Sequence, residues 1–545
     1  MARTTPNEGS FDVAIVGGGH NGLTCAAYLA SAGLRVIVLE KNAVVGGAAV
    51  TEEFHPGFRN SVASYTVSLL NPKIIRDLDL ARHGLRIVER PVANFWPVDD
   101  RRSLLMPYGL SARQTAIAEF SQHDADRLAG YDAMIEDAAA LLRDLVLSSP
   151  PNAGGGIEAL LKAASTGRRI TRRTVDQQRD LVDLFTKSAS EILGRWFEND
   201  IVRGAFGFDG IVGAFAPPSQ PGTGYVLLHH CFGEVNGRSG VWGHAIGGMG
   251  AITQAMAAAA RSRGVDIRTS SPVSEVRVDG GRARGVVLAD GTEIAARAVA
   301  ANVAPKLLMR DLLPADCLPD DLRQRFVGVR SGSGTFRMNV ALGELPNFTC
   351  RPGTNAQPHH GAGIIVGPGL DYLERAYLDA RRDGWSSEPV IEILIPSTLD
   401  DTLAPPGQHV ASLFVQHVAP KLPDGRSWSD HRERERFADL VIDTVARHAP
   451  NFRDSIIARQ CLSPADLEQR FGLVDGDIFH GQLGLDQMFS TRPLLGFASY
   501  RMPVAGLYLC GSGAHPGGGV TGAPGHNAAR EIVRDLRGFL GRLGL

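Results

Sequence analysis

Between Phe11 and Glu40 the chain runs through an apolar stretch, a glycine cluster, an alanine-rich stretch and a second apolar stretch that ends in an acid. Phe11–Val16 is apolar enough to be a strand buried on both faces. Gly17-Gly18-Gly19-His20-Asn21-Gly22 follows at once and fits the spacing GxGxxG. Leu23–Ala32 has helical composition, and Gly33 is placed to end that helix. Val36–Leu39 is a second buried strand, and Glu40 stands 23 residues after Gly17. Strand, glycine turn, helix, strand and acid in this order make a βαβ unit of the dinucleotide-binding type. Gly17 permits the tight turn, Gly19 lets the backbone approach a pyrophosphate, and Gly22 lets helix and strand pack closely. The helix N-terminus then faces phosphate, and Glu40 accepts hydrogen bonds from ribose hydroxyls.

The residues after Glu40 separate a flavin nucleotide from a nicotinamide one. Lys41 to Ala48 carries the pair Gly46-Gly47, which resembles the second phosphate-proximal loop of FAD oxidoreductases and which a nicotinamide domain does not need. At the other end of the chain, the apolar run Leu507–Cys510 leads into Gly511-Ser512-Gly513, then His515 to Gly525, then a helix expected over Thr521–Leu540. Backbone stripped of side chains can wrap a flat ring, and a helix N-terminus stabilises charge on its edge. The cofactor candidates are therefore Gly17, Gly19, His20, Asn21, Gly22, Glu40, Lys41, Gly46, Gly47 and Ala48 at the start. At the end they are Gly511, Gly513, His515, Val520, Thr521 and Gly522. There is no second strand–GxGxxG–helix unit, so one FAD is expected. No Cys or His stands where it would meet the ring edge, so the FAD is expected to be non-covalent.

A chain of 545 residues exceeds one simple core. The periodicity turns helical from about 111 to 195, with amphipathic helices over Gln122–Leu147 and Asp180–Leu193 and a Pro/Gly/Arg-rich loop over Ser148–Arg173. It returns to α/β at Gly247, with a helix over Met249–Arg263 and strands joined by Gly280-Gly281 and Asp290-Gly291, both hairpin signals. The fold class expected is α/β: a discontinuous Rossmann-like FAD-binding domain with a β-meander, and an inserted α+β substrate domain with a helical cap. The FAD-binding parts are expected at 1–85, 242–310 and 491–545, and the substrate parts at 86–241 and 311–490.

The net charge of −2, with acids and bases interspersed, argues against nucleic acid as a partner. Six scattered cysteines without a CxxC pair give neither a metal ribbon nor a local dithiol, and no metal is expected. The first ten residues are polar, which leaves no room for a signal peptide, and no run of about 18 apolar residues exists. A cytoplasmic location is expected, with peripheral contact to the inner face of the membrane through Leu141–Lys187. The arginine-dominated basic residues are a bacterial compositional signature. Oligomeric state is not legible.

Three segments, Gly17–Glu53, Trp242–Met256 and Leu507–Ala529, resemble the phytoene desaturase and carotenoid ketolase group of flavoproteins, and the likeness covers nearly the whole chain from Phe11. That resemblance implies that Val273 meets the adenine through its backbone, that Gly513 and Gly522 flank the flavin, and that Gly248 lies under or beside the ring.

In such an enzyme the flavin carries the redox step and the protein orients the substrate. His244, beside the Gly247-Gly248 pair, is the first candidate for a catalytic base, ahead of His229, His230, His480 and His515. Tyr65, Trp96, Tyr225 and Trp242 are candidates to line an apolar substrate path. No arginine cluster stands beside a glycine loop in the sequence, so an apolar, long-chain or unsaturated substrate is expected. The competing readings are a carotenoid desaturase or ketolase proper, and a flavin-bearing regulatory or assembly protein with little turnover.

Overall fold

The computed structural model describes residues 11–353 and 355–538. The polar first ten residues and the expected end of the last helix at Leu540 lie outside them. Two seven-stranded sheets organise the chain.

In the first sheet, Phe11–Val16 lies between Val36–Leu39 and Glu293–Ala301 and is parallel to both. Asp266–Arg268 extends one edge, and Leu507–Leu509 pairs with Glu293–Ala301. Among the described residues, the first and last strands thus lie on either side of one strand from the middle of the chain. Antiparallel hairpins Val273–Asp279, Arg282–Leu288 and Glu293–Ala301 form the meander, with positive φ at Gly280, Gly281 and Gly291 where the turns require it. The first helix, His20–Ser31, begins three residues before the sequence reading placed it, because Gly19 is extended and serves as its N-cap. It packs against Met249–Arg261 and against the last helix, Ala523–Leu536.

The second sheet has the order Ile456–Leu462, Thr335–Leu342, His409–Val418, Trp385–Leu394, Gly363–Val366, Asn94–Pro97, Ser103–Met106. Alternation along Thr335–Leu342 divides its two faces. Phe336, Met338 and Val340 join an apolar core with Phe437 and Val441 of the His431–Ala446 helix. Arg337 and Asn339 point to the other face, as do Glu392, Ser412, Phe414 and Gln416 on the neighbouring strands. That face is polar and buried, and it looks toward the first sheet's ligand side.

A helical cap covers the third side, built on Gln122–Val146, Val175–Thr186, Asp200–Gly207 and Thr223–Cys231. Two expectations are corrected here. The segment Ser148–Arg173, read as a loop, contains the helix Gly156–Thr171. Asp180–Leu193, read as one helix, is two, because Ser188 and Glu191 form a capping box that starts a new helix at Ala189. Among the described residues, no helix is long and apolar enough to cross a membrane.

Candidate active site

A cleft of about 190 Å³ opens at the carboxyl ends of the parallel strands, where ligands of open α/β sheets bind. It is lined by Gly17, Gly19, His20, Glu40, Lys41, Gly46, Gly47, Ala48 and Val273, all named from sequence. Gly17 has φ +97°, and a Cβ on Gly22 would lie 2.2 Å from the Gly17 carbonyl, so neither position admits a side chain without a rebuilt turn. Glu40 accepts the amides of Gly18 (2.8 Å) and Asn42 (2.9 Å), which fixes its carboxylate at the cleft wall.

The cleft also has a wall that sequence reasoning missed. Asn302, at the end of the Glu293–Ala301 strand, donates to the Gly17 carbonyl at 3.2 Å. Leu307, Phe471, Ile478 and His480 close the opposite side. Burial pushes the imidazole of His20 down to about 3 and that of His480 down to about 4, so both are neutral near pH 7.

His20, Ala48, Ile478 and Ser512 also line a second cavity of about 130 Å³, so the two spaces adjoin. Its walls include Tyr65, Leu69, Val212, His230, Trp242, Phe414, Phe479 and Val520. Tyr65 stacks on Phe414 with ring centroids 5.3 Å apart and donates to Glu392 at 2.5 Å. A third cavity of about 320 Å³ shares His230 and Trp242 with the second and holds Trp96 and Tyr131.

The remaining sequence candidates sit elsewhere. His244 bonds through Nε2 to Asp400 at 2.9 Å and lines none of these spaces. Burial pushes the Asp400 carboxyl up, but hydrogen bonds from His244, Thr402 and Gly247 outweigh it and hold it below the usual carboxylate range. Tyr225 is buried between Phe185 and His229, away from the three cavities. Gly248 packs against Thr51 and Ser61. Gly511 packs on Asn302, Gly513 on Pro305, and Gly522 on Ile74 and Thr24. Thr521 caps the Ala523 amide at 3.1 Å, Asn21 reaches Ser512 at 3.2 Å, and His515 bonds to the Leu145 carbonyl at 3.2 Å.

Sequence distance also hid three buried arginines around the second cavity. Arg492 donates to the carbonyls of Ser512 (2.8 Å) and Phe479 (2.6 Å), both wall residues. Arg337 lies 4.4 Å over the Tyr65 ring, and Arg90 bonds to Thr66 and lies 5.5 Å from the Trp242 ring. Burial pushes both Arg337 and Arg492 down to about 10, still protonated near pH 7.

The family model described as flavin containing amine oxidoreductase matches residues 22–333, and the one described as FAD dependent oxidoreductase matches 242–526. The mouse protein named pyridine nucleotide-disulfide oxidoreductase domain-containing protein 2 is 40% identical, over 97% of this chain and 94% of its own. The chain belongs to the flavin-containing amine oxidoreductase family. It is an FAD-dependent oxidoreductase of that family, and the phytoene desaturase resemblance holds. A lycopene-forming phytoene desaturase of Paracoccus sp. is 25% identical over 95% of this chain and 96% of its own. In fold, the flavoprotein architecture matches cyclohexylamine oxidase from Brevibacterium oxydans, with TM-score 0.56 and 17% identity over 97% of this chain and 100% of that one.

The residues present fit the FAD that this family uses. Neighbouring glycines keep the cleft clear of side chains, and Glu40 stands at its wall with its carboxylate fixed by two backbone amides. The six cysteines are free thiols, and Cys25 and Cys510 are neighbours in the core.

Proposed function

We propose that this chain is a dehydrogenase of the desaturase type, holding one FAD non-covalently and acting on an apolar, long-chain or unsaturated substrate. The observation that carries the reading is the second cavity. Leu69, Val212, Trp242, Phe414 and Phe479 line the space next to the nucleotide cleft. An apolar substrate there gains about 25 cal/mol per Å² removed from water and needs no charged clamp. Bound FAD would supply the two-electron acceptor. The protein's part is to exclude water with the aromatic walls and to hold Tyr65 through Glu392.

Of the candidate bases, His230 lines the proposed substrate space, whereas His244 lines none of the three cavities. The Nδ1 of His230 donates to the Val226 carbonyl at 2.9 Å, and the residue lines both the second and the third cavity. The volumes of those cavities, about 130 and 320 Å³, favour a substrate shorter than a full-length carotenoid. Anaerobic mixing with candidate donors tests the reading. An apolar unsaturated lipid should bleach the flavin, and small polar amines, hydroxy acids and NADPH should not. Rapid bleaching by a polar donor alone would overturn it, and the regulatory reading gains if no donor bleaches the flavin.

The same reading includes contact with a membrane, the source of such a substrate. On the Gly156–Thr171 helix, Ile157, Leu160 and Leu161 are 78%, 69% and 65% exposed, with Lys162, Arg168 and Arg169 nearby. An apolar patch edged by bases suits an anionic bilayer surface. Flotation with anionic vesicles should carry the protein, and changing those three residues to Ser should abolish it. Unchanged flotation would remove this helix from the account.

A further inference from the structure

The third cavity is not uniformly apolar. Asp209 sits on a single 3-10 turn, Phe208–Gly210, that follows the Asp200–Gly207 helix, and it lines this space. Its carboxylate has no hydrogen-bond or ion-pair partner among the described residues. The other two acids of the cavity are neutralised, Asp132 by Arg113 at 2.7 Å and Glu136 by Arg143 at 2.6 Å. Tyr131 is only 3% exposed, its ring is fixed against Phe197 and Phe206 at 5.1 and 5.0 Å, and its hydroxyl also lacks a partner. Asp209, Tyr131 and Cys231 all line this one space.

Asp209 is half-buried, and both groups, its carboxylate and the Tyr131 hydroxyl, open onto the cavity without a partner inside the protein, so each offers a hydrogen-bonding position to whatever occupies it. We infer that the third cavity is a subsite for a hydroxyl group on an otherwise apolar substrate, which donates to Asp209 and accepts from Tyr131. A hydroxyl is the group that can do both. An ammonium cannot accept from Tyr131, and a carboxylate would face Asp209 with like charge. Burial and the Glu392 charge push the Asp209 carboxyl up to about 7, so it is part ionised at neutral pH and still opposes a second carboxylate. A hydroxyl pairs with that carboxyl in either protonation state. His230 and Trp242, shared with the second cavity, put this end group one wall away from the space beside the cofactor cleft. The inference rests on the reading of that space as the chamber for an apolar substrate.

Binding of 1-octanol, octylamine, octanoate and octane to the oxidised FAD-loaded protein, followed by perturbation of the flavin spectrum, tests it. Octanol should bind about fivefold or more tighter than octane, the worth of one or two buried hydrogen bonds, and ahead of the amine and the acid. Y131F and D209L should each lose most of that advantage while octane binding stays. Y131F removes only a partnerless hydroxyl, so it decides alone if D209L does not fold. Octane binding as tightly as octanol, octylamine binding tightest, or Y131F keeping the full advantage would each overturn the subsite. If none of the four probes binds, the apolar-substrate reading fails with it; equal binding of all four removes the subsite alone.

Discussion

The Glu40 carboxylate accepts the Gly18 amide at 2.8 Å, tying the end of the second strand to the glycine turn 22 residues earlier. Its other oxygen takes the Asn42 amide at 2.9 Å. Glu40 is thus a strut of the cleft as well as the expected ribose partner. Glu40→Ala should weaken FAD by about tenfold or more, and leaving two backbone amides unpaired should cost about 1–3 kcal/mol of stability as well. Fluorescence titration of apoprotein and urea unfolding check the two parts. An unchanged dissociation constant would mean that Glu40 does not meet the ribose.

Gly19 gives a sharper test of the pyrophosphate position. A Cβ there would lie 2.9 Å from the Asn302 amide nitrogen that holds the Gly17 carbonyl. Gly19 itself has an ordinary φ of −72°, so the backbone tolerates a side chain. Gly19→Val should therefore purify folded and colourless, with circular dichroism near that of the parent. Full flavin content in that variant would move the phosphates elsewhere.

Cys25 and Cys510 touch in the core, both fully buried, and neither lines the cleft. Burial and the neighbouring Cys510 push the Cys25 thiol well up, so it is not a reactive thiolate. Replacing both with Ser should leave reduction and reoxidation of the flavin intact and lower stability through the packing change. Loss of reduction with FAD retained would revive a dithiol mechanism.

Asp209 predicts a pH dependence with a definite sign. Its folded pKa of about 7 lies above the unfolded value of about 3.9. Its contribution to stability is present in full below about pH 4 and is lost as pH rises through about 7. Asp209→Asn lacks that loss, so the variant should gain on the parent between about pH 5 and pH 8. The gain should be about 1–3 kcal/mol, less than the full shift implies because the group borders cavity water. A difference that stays flat across this range would mean that Asp209 is solvated normally.

The opening βαβ unit and the meander were legible because each rests on local chemistry: buried apolar runs, glycine turns and an acid at a fixed spacing. Gly280-Gly281 and Asp290-Gly291 signalled hairpins that the structure contains. The helix Gly156–Thr171 was not legible because its apolar residues face outward and Pro150, Pro151, Gly154 and Gly155 precede it. The far wall of the cleft was hidden for another reason. Asn302, Phe471 and His480 reach the site from segments hundreds of residues past Gly17, and no local pattern marks them. His244 stood in a suggestive sequence position, yet Asp400, 156 residues away, claims it.

The central claim is that the two ends of the chain build one site for one dissociable FAD. Acid precipitation of the purified protein, with flavin measured in the supernatant and the pellet, tests it most directly. The account predicts about one FAD per chain, all of it in the supernatant. Flavin that stays with the pellet, or a folded protein that takes up none when FAD is supplied, would contradict it.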